Sequence, residues 1–442
     1  MSSKQIKSIE VERLFGLYDY TLNIPVEAKD NVFILYGDNG TGKSTILRLV
    51  YHLLSSEVGY AHKSYLANVA FKSLTVSFND ETIVKVLRQD DNDDLLGDYI
   101  LLFQNAEKQL ECEMPSEWDE ESHRFRINLF SPSNPTNRKN YHQILKNLNS
   151  FSVFYISDQR NDELRDNYVD PRLRRSRPLE DPVEKEMTLL HEWIIGQALE
   201  ASKKGEEGTS EIYVKILAKL CDRKNKEEKQ LTYEDTQKEM ERLLQRAQSY
   251  AQIGFISETG YSDIVAKLAK VQKKNRQPAA DILKPYIEIQ KNRIDALDNL
   301  FETIIFLNKS LNDYLYKKRV IYSVDKGFKF YQYKEYRFNE QNPLYDEKDE
   351  IEVKRLSSGE RQLLRLFSMV IRNSNFCPII IIDEPEISLN IKWQRRLLST
   401  LNFFVRDTNA QFVVATHSFE ILSSHLKNTV KVGDSYIPIN NV

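Results

Sequence analysis

Eight residues, Gly37-Asp38-Asn39-Gly40-Thr41-Gly42-Lys43-Ser44, constrain what this chain can fold into more than any others. They fit the pattern GxxxxGK[ST], with an apolar run at Val32 to Tyr36 before them. After them Ile46, Leu47, Leu49, Val50 and Leu53 fall on one side of a helix. A buried strand, a glycine-rich loop and a helix make a cradle for phosphate. The glycines let backbone N–H groups wrap phosphate oxygens, and the helix N-terminus favours negative charge. Lys43 is expected to reach the β- and γ-phosphates of a nucleotide, and Ser44 to ligate Mg²⁺ through its hydroxyl. Gly37, Asn39, Gly40, Gly42 and Thr45 complete the expected nucleotide-binding set.

A second feature lies far downstream. Ile379-Ile380-Ile381-Ile382-Asp383-Glu384 is an apolar strand ending in two carboxylates, where an α/β sheet presents ligand-binding groups. Asp383 suits the Mg²⁺ shell, and Glu384 suits a general base that orients attacking water. Alone, the pair also reads as a helix cap after a core strand. Just upstream, Leu356-Ser357-Ser358-Gly359-Glu360-Arg361-Gln362 opens a helix with small hydroxyls and a glycine. That is another anion-binding N-terminus, or simply a serine cap.

The rest of the chain arranges itself around these motifs. Ile6 to Val11 and Tyr18 to Ile24 alternate as strands, and residues 70–130 look β-rich, with a hairpin at Asn79-Asp80. The acidic run Asp90 to Asp94 reads as a solvated loop. Phe151 to Ser157 is strand-like. From 183 to 318 helical spacing dominates, over Glu184–Ser202, Ser210–Asp222, Tyr233–Gln252 and Ala279–Lys317, with a polar linker at Lys203 to Gly208. Strands return at Val320–Val324 and Phe328–Tyr333. A helix, a strand, a helix and the strand Gln411–Ala415 then predict a parallel sheet covered by helices. The expected division is 1–180 as an N-terminal lobe, 181–319 as a helical insert and 320–442 as a C-terminal lobe.

Composition narrows the class. The 442 residues suit two to three domains, and 41% hydrophobic content supports a real core. A net charge of -3 argues against a protein that coats nucleic acid. Cys112, Cys221 and Cys377 are scattered, without a CxxC pair, so neither a zinc site nor a disulfide scaffold is expected. Charges at Lys4, Lys7, Glu10, Glu12 and Arg13 interrupt any signal sequence, and no apolar run approaches the ~18 residues of a membrane helix. A soluble, cytoplasmic protein without a membrane partner is expected.

The segment at Leu356 to Gln362 resembles the ABC signature motif, with Ser358 in place of its first glycine. With the P-loop and the Asp383-Glu384 pair, in this order, the chain resembles the SMC-like and OLD-like branch of ABC ATPases, the AAA-15 and AAA-21 type. Ile9 to Leu17 looks like that branch's opening strand pair. The resemblance covers residues 1–160 and 320–435. It implies an α/β P-loop ATPase head, a sheet with flanking helices and a β-subdomain, interrupted by a helical insert, and it implies ATP and Mg²⁺ as ligands. It also implies that Ser357, Ser358, Gly359 and Glu360 contact the γ-phosphate of ATP held by an opposite subunit, so the partner includes a second copy. His417 stands where a switch histidine senses that phosphate, and Glu386 to Asn390 is similar to the D-loop that signals across the dimer. Gln159 is preferred over Gln104 as the Q-loop residue, joining the metal site to the attached domain.

The insert is too short for a coiled-coil arm, and too few residues follow His417 for a Toprim nuclease. The layout is similar to the ATPase subunits of PARIS-type and Septu-type anti-phage defence pairs. That implies a separate nuclease or toxin effector, a higher homo-oligomer and a foreign protein as trigger. The alternative is a DNA-binding ATPase of repair, with Arg172, Arg174, Arg175 and Arg177 gripping phosphates.

Overall fold

A computed structural model describes residues 4–24, 31–88, 95–128, 135–157, 181–206, 232–332 and 349–433. The chain divides into two compact units: Met1–Pro178 with Met369–Val442, and Leu179–Ser368.

The first unit holds two large sheets and a small hairpin. Its elements are β1 (Ile6–Leu14), β2 (Tyr18–Asn23), β3 (Val32–Tyr36), α1 (Lys43–Leu54), α2 (Ala61–Ala67), β4 (Ser73–Phe78), β5 (Ile83–Leu87), β6 (Tyr99–Gln104), β7 (Gln109–Met114), β8 (Ser116–Asp119), β9 (Arg124–Ile127), α3 (Pro135–Leu148) and β10 (Val153–Ile156). The antiparallel sheet runs β2-β1-β4-β5-β6-β7. Its strands alternate buried and exposed residues because only one face meets the core, where Ile9, Val11, Leu74, Val76, Val84 and Val86 gather.

The second unit carries α4 (Pro182–Glu206), α5 (Tyr233–Ala251), α6 (Thr259–Leu268), the 39-residue helix α7 (Arg276–Tyr314) and the small sheet β11 (Lys318–Ser323), β12 (Gly327–Gln332) and β13 (Glu350–Ile351). Helix α8 (Ser358–Asn373) starts here and ends in the first unit. The first unit then finishes with β14 (Ile379–Asp383), α9 (Ile391–Phe404), β15 (Gln411–Thr416), α10 (Phe419–Ser423) and β16 (Thr429–Lys431). These complete an all-parallel sheet of order β10-β14-β15-β3-β16. Strands β14 and β15 are buried at every position, the mark of a sheet covered on both faces. The expected α/β P-loop class is the fold observed.

Some boundaries differ from expectation. Helix α4 runs on through Lys203, Lys204 and Gly205, where a linker was predicted. A glycine costs a helix only about 1 kcal/mol, which neighbouring turns absorb. Helix α7 begins at Arg276, with Pro278 in its first turn, where the missing N–H is harmless, and it also contains Pro285. Helices α2, α3 and α6, the β8–β9 hairpin and β16 were not singled out from the sequence. The predicted helix Ser210–Asp222, Asp90 to Asp94, Gln159, Cys221 and the arginines at 172 to 177 lie outside the described residues. Among the described residues, no helix is long and apolar enough to cross a membrane.

Helix α1 is held at its C-terminus by Lys63, which is fully buried. The Lys63 ammonium donates to the carbonyls of His52 at 3.0 Å, Leu53 at 2.7 Å and Ser55 at 3.1 Å. Its three protons thus meet the carbonyls that a helix end leaves open, at the negative pole of the helix dipole. Burial pulls the ammonium down to about 7. Lys63→Met keeps the bulk and leaves these carbonyls unmet. The expected loss of stability is about 2–4 kcal/mol by denaturant titration. A change below about 0.5 kcal/mol would show that the cap is not stabilising.

Candidate functional site

Parallel strands deliver their chain ends to one edge. In register, Tyr36 of β3 stands beside Thr416 of β15, Ala415 beside Asp383 of β14, and Ile382 beside Ile156 of β10. The glycine-rich loop, Glu384, His417 and Ser157 therefore emerge at the same end of the sheet, where α/β proteins bind ligands.

The loop is built for close approach. A Cβ on Gly37 would stand 2.2 Å from the Val432 carbonyl oxygen, so only glycine fits. Gly42 has φ 88°, and a Cβ there would press on Leu14 Cδ2 at 2.8 Å. Asn39 and Gly40 are exposed at the loop's tip. Gly42 leads into α1, whose first turn carries neither a side-chain cap nor an acidic residue, so its N–H groups are left for an anion. Lys43 is buried, and its ammonium donates to the carbonyls of Gly37 and Asp38, both at 2.7 Å. Burial lowers its pKa, against the pull of the Glu384, Asp383, Asp38 and Glu386 carboxylates. Thr45 follows in the same turn.

Ser44 Oγ donates to Asp383 Oδ1 at 2.9 Å. A hydroxyl and a carboxylate side by side are the hard oxygen donors that Mg²⁺ takes, its other positions going to water and phosphate. One hydroxyl and one carboxylate fit a cation whose remaining oxygens come from water and a nucleotide's phosphates. The other oxygen of Asp383, Oδ2, accepts from the Tyr155 hydroxyl at 2.9 Å. Arg48 Nε donates in turn to Tyr155 Oη at 3.4 Å.

Glu384 turns the chain out of β14 in the left-handed region, at φ 49°, with its N–H on the Ala415 carbonyl at 2.9 Å. Such a conformation costs on the order of 1 kcal/mol or more and is typical of functional turns. His417 Nδ1 lies 3.8 Å from Glu384 Oε1 and 3.1 Å from Glu386 Oε1. Glu386 is buried, and its Oε1 also accepts from the Thr416 hydroxyl at 2.6 Å and the His417 N–H at 2.8 Å. It thereby frames the histidine from both its backbone and its ring. Asn390 caps α9 by accepting from Trp393 N–H at 3.0 Å.

At the start of α8, Ser357 and Ser358 are exposed while Gly359 is buried. Glu360 was expected among the nucleotide-contacting residues. Its carboxylate is instead buried: Oε2 accepts from Ser357 N–H at 2.7 Å, and the Glu360 N–H returns to Ser357 Oγ at 3.4 Å. This is a capping box. Lys318 Nζ donates to both Glu360 oxygens, at 3.0 and 2.7 Å. Burial works against the charge of Glu360, but the Lys318 ammonium and the Ser357 donors overcome it and hold the carboxyl below its usual range. Arg361 grips Asp181, the residue that caps α4, at 2.7 and 3.0 Å.

Sequence reasoning missed Tyr155, Arg48 and the framing role of Glu386. Nothing in their local pattern marks them, since only the pairing of β10 with β14 brings Tyr155 to Asp383. Gln104 lies exposed at the end of β6, in the antiparallel sheet. Gln159, outside the described residues, follows β10.

The family described as AAA ATPase domain matches residues 5–422. No curated protein matches. Among solved structures, an Smc head domain with an extended coiled coil bound to the C-terminal domain of ScpA, from Pyrococcus furiosus, aligns at a TM-score of 0.37 and 13% identity, over 98% of this chain and 96% of that one. An Smc head bound to the C-terminal winged-helix domain of ScpA gives 0.34 and 12%, over 97% and 93%. An Smc head with coiled coil and joint from Pyrococcus yayanosii gives 0.34 and 15%, over 97% and 95%. With TM-scores this low, it is the family match that carries weight.

Glu384→Gln keeps the shape of the side chain and removes its basicity. ATP binding is expected to persist while turnover falls roughly 10²–10⁴-fold, read as phosphate release beside nucleotide affinity. Near wild-type turnover would remove Glu384 from the role of base.

Proposed function

Since the chain belongs to the AAA ATPase domain family and is an ATPase, we propose that two copies hydrolyse ATP head to tail and that the assembly controls a separate effector. The observation that carries the first part is the meeting of Lys43, Ser44, Asp383, Glu384 and His417 at one edge of the parallel sheet. When ATP and Mg²⁺ bind, the Lys43 ammonium leaves the loop carbonyls for the β- and γ-phosphates. Ser44 and Asp383 would hold the cation, with Gln159 as a further ligand, and the cation would supply charge neutralisation at the phosphates. Glu384 accepts the proton of the attacking water, and His417, steadied by Glu386, reads the γ-phosphate.

The remaining contact comes from the partner copy. Ser357 and Ser358 present exposed hydroxyls at the start of α8, and Gly359 adds no side chain there. With Glu360 tied back to Lys318, the helix start keeps its acid away from an incoming phosphate. In this reading residues 1–180 and 320–442 form the head, and 181–319 forms an insert that offers surface to partners. The resemblance to anti-phage defence pairs supports an effector of nuclease or toxin type, released by a foreign protein.

Mixing a Lys43→Ala chain with a Gly359→Arg chain leaves one intact composite site per mixed dimer. Partial recovery of ATPase activity is expected, and none in mixed dimers of proven composition would contradict the shared site. For the effector, the mass of complexes purified from the native host is decisive. A co-purifying neighbour product supports control of an effector. A bare dimer with tight, salt-dependent DNA binding supports the repair reading instead.

A further inference from the structure

The Tyr155 hydroxyl sits between two groups of opposite demand. Arg48 can only donate, so its Nε–H, at 3.4 Å, must use a lone pair of the tyrosine oxygen. The single phenolic proton is then left for Asp383 Oδ2, at 2.9 Å. The ring is fixed from the side as well, since Tyr51 packs against it with ring centroids 5.4 Å apart. Asp383 itself is 3% exposed, and Ser44 engages its Oδ1. Ser44 and Tyr155 thus donate to different oxygens of the carboxylate. The Ser44 hydroxyl is the one that must turn its lone pair to a cation, while Tyr155 has no such second duty.

We propose that Arg48 and Tyr155 form a positioning relay that orients the Asp383 carboxylate and so sets the divalent-cation affinity of the ATP site. This rests on the assignment of Ser44 and Asp383 as cation ligands. Groups that hydrogen-bond to a ligating carboxylate fix its rotamer before the metal arrives, and their loss costs roughly 10- to 100-fold in metal affinity. Neither residue touches the nucleotide in this assignment. The relay therefore acts on the cation and leaves metal-free nucleotide binding alone.

The test titrates Mn²⁺ into the full-length chain saturated with adenylyl-imidodiphosphate and follows free Mn²⁺ by electron paramagnetic resonance. Tyr155→Phe keeps the ring and removes the hydroxyl. Its Mn²⁺ affinity is expected to fall roughly 10- to 100-fold, with nucleotide affinity in EDTA changed less than about twofold. Unchanged Mn²⁺ affinity overturns the relay, and so does an equal loss of nucleotide affinity in EDTA. Arg48→Gln releases the tyrosine's proton to rotate, and it is expected to lower Mn²⁺ affinity in the same direction, by at most about 10-fold. If Tyr155→Phe does not fold, Arg48→Gln decides, and an unchanged affinity there overturns the proposal. Asp383→Asn separates the two readings. If it binds Mn²⁺ as tightly as the wild type, the ligand assignment itself fails. If it loses Mn²⁺ while Tyr155→Phe does not, only the relay fails.

Discussion

The hydrogen bond from Ser44 to Asp383 joins residues far apart in sequence, and the rest of the site depends on it. It links the start of α1, which follows β3, to the end of β14, and β15 lies between β3 and β14 in the sheet. The strand between them is the one that delivers His417. Closing that single contact therefore fixes three chain ends together: the phosphate loop, the carboxylate pair and the histidine. The parallel register makes the closure cheap, since neighbouring strands already end level with one another.

Helix α1 is the lever in this arrangement, and its two ends are treated in opposite ways. Its N-terminus keeps N–H groups uncapped for a ligand. Its C-terminus is closed by the three hydrogen bonds of the Lys63 ammonium. A helix that must present an open, positive end to phosphate gains rigidity from a sealed negative end. Between the two, Arg48 on the same helix reaches the Tyr155 hydroxyl. One helix thus carries Lys43 and Ser44, which we propose meet the ligand, and Arg48, which bonds the tyrosine that donates to Asp383.

Much of this was legible in the sequence because it is written in contiguous motifs. The glycine-rich loop and the strand ending in Asp383-Glu384 each carry their context with them, and His417 follows its strand in order. The start of α8 was only half legible. Ser357 and Glu360 are three apart, the spacing of a capping box, and the structure uses them so, with the Glu360 carboxylate also held by Lys318. Tyr155 was not legible. Its role depends on the pairing of β10 beside β14, which no local pattern encodes. Glu386 stood in view as part of a D-loop-like segment, yet its hold on His417 appears only once β14 and β15 lie side by side. From Lys203 to Glu206 the predicted linker is helix instead for a related reason, because helical neighbours overrule one weak residue.

Completion of the ATP site by a second copy of the chain can be read by chemical cross-linking in the hydrolysis-impaired Glu384→Gln background. One pool carries Asn39→Cys in the exposed loop before α1, and a differently tagged pool carries Ser358→Cys at the exposed start of α8. A short bifunctional thiol reagent is expected to join the two pools only when ATP and Mg²⁺ are present, and not in the cysteine-unmodified background. ATP binding without any cross-link between the pools would contradict it.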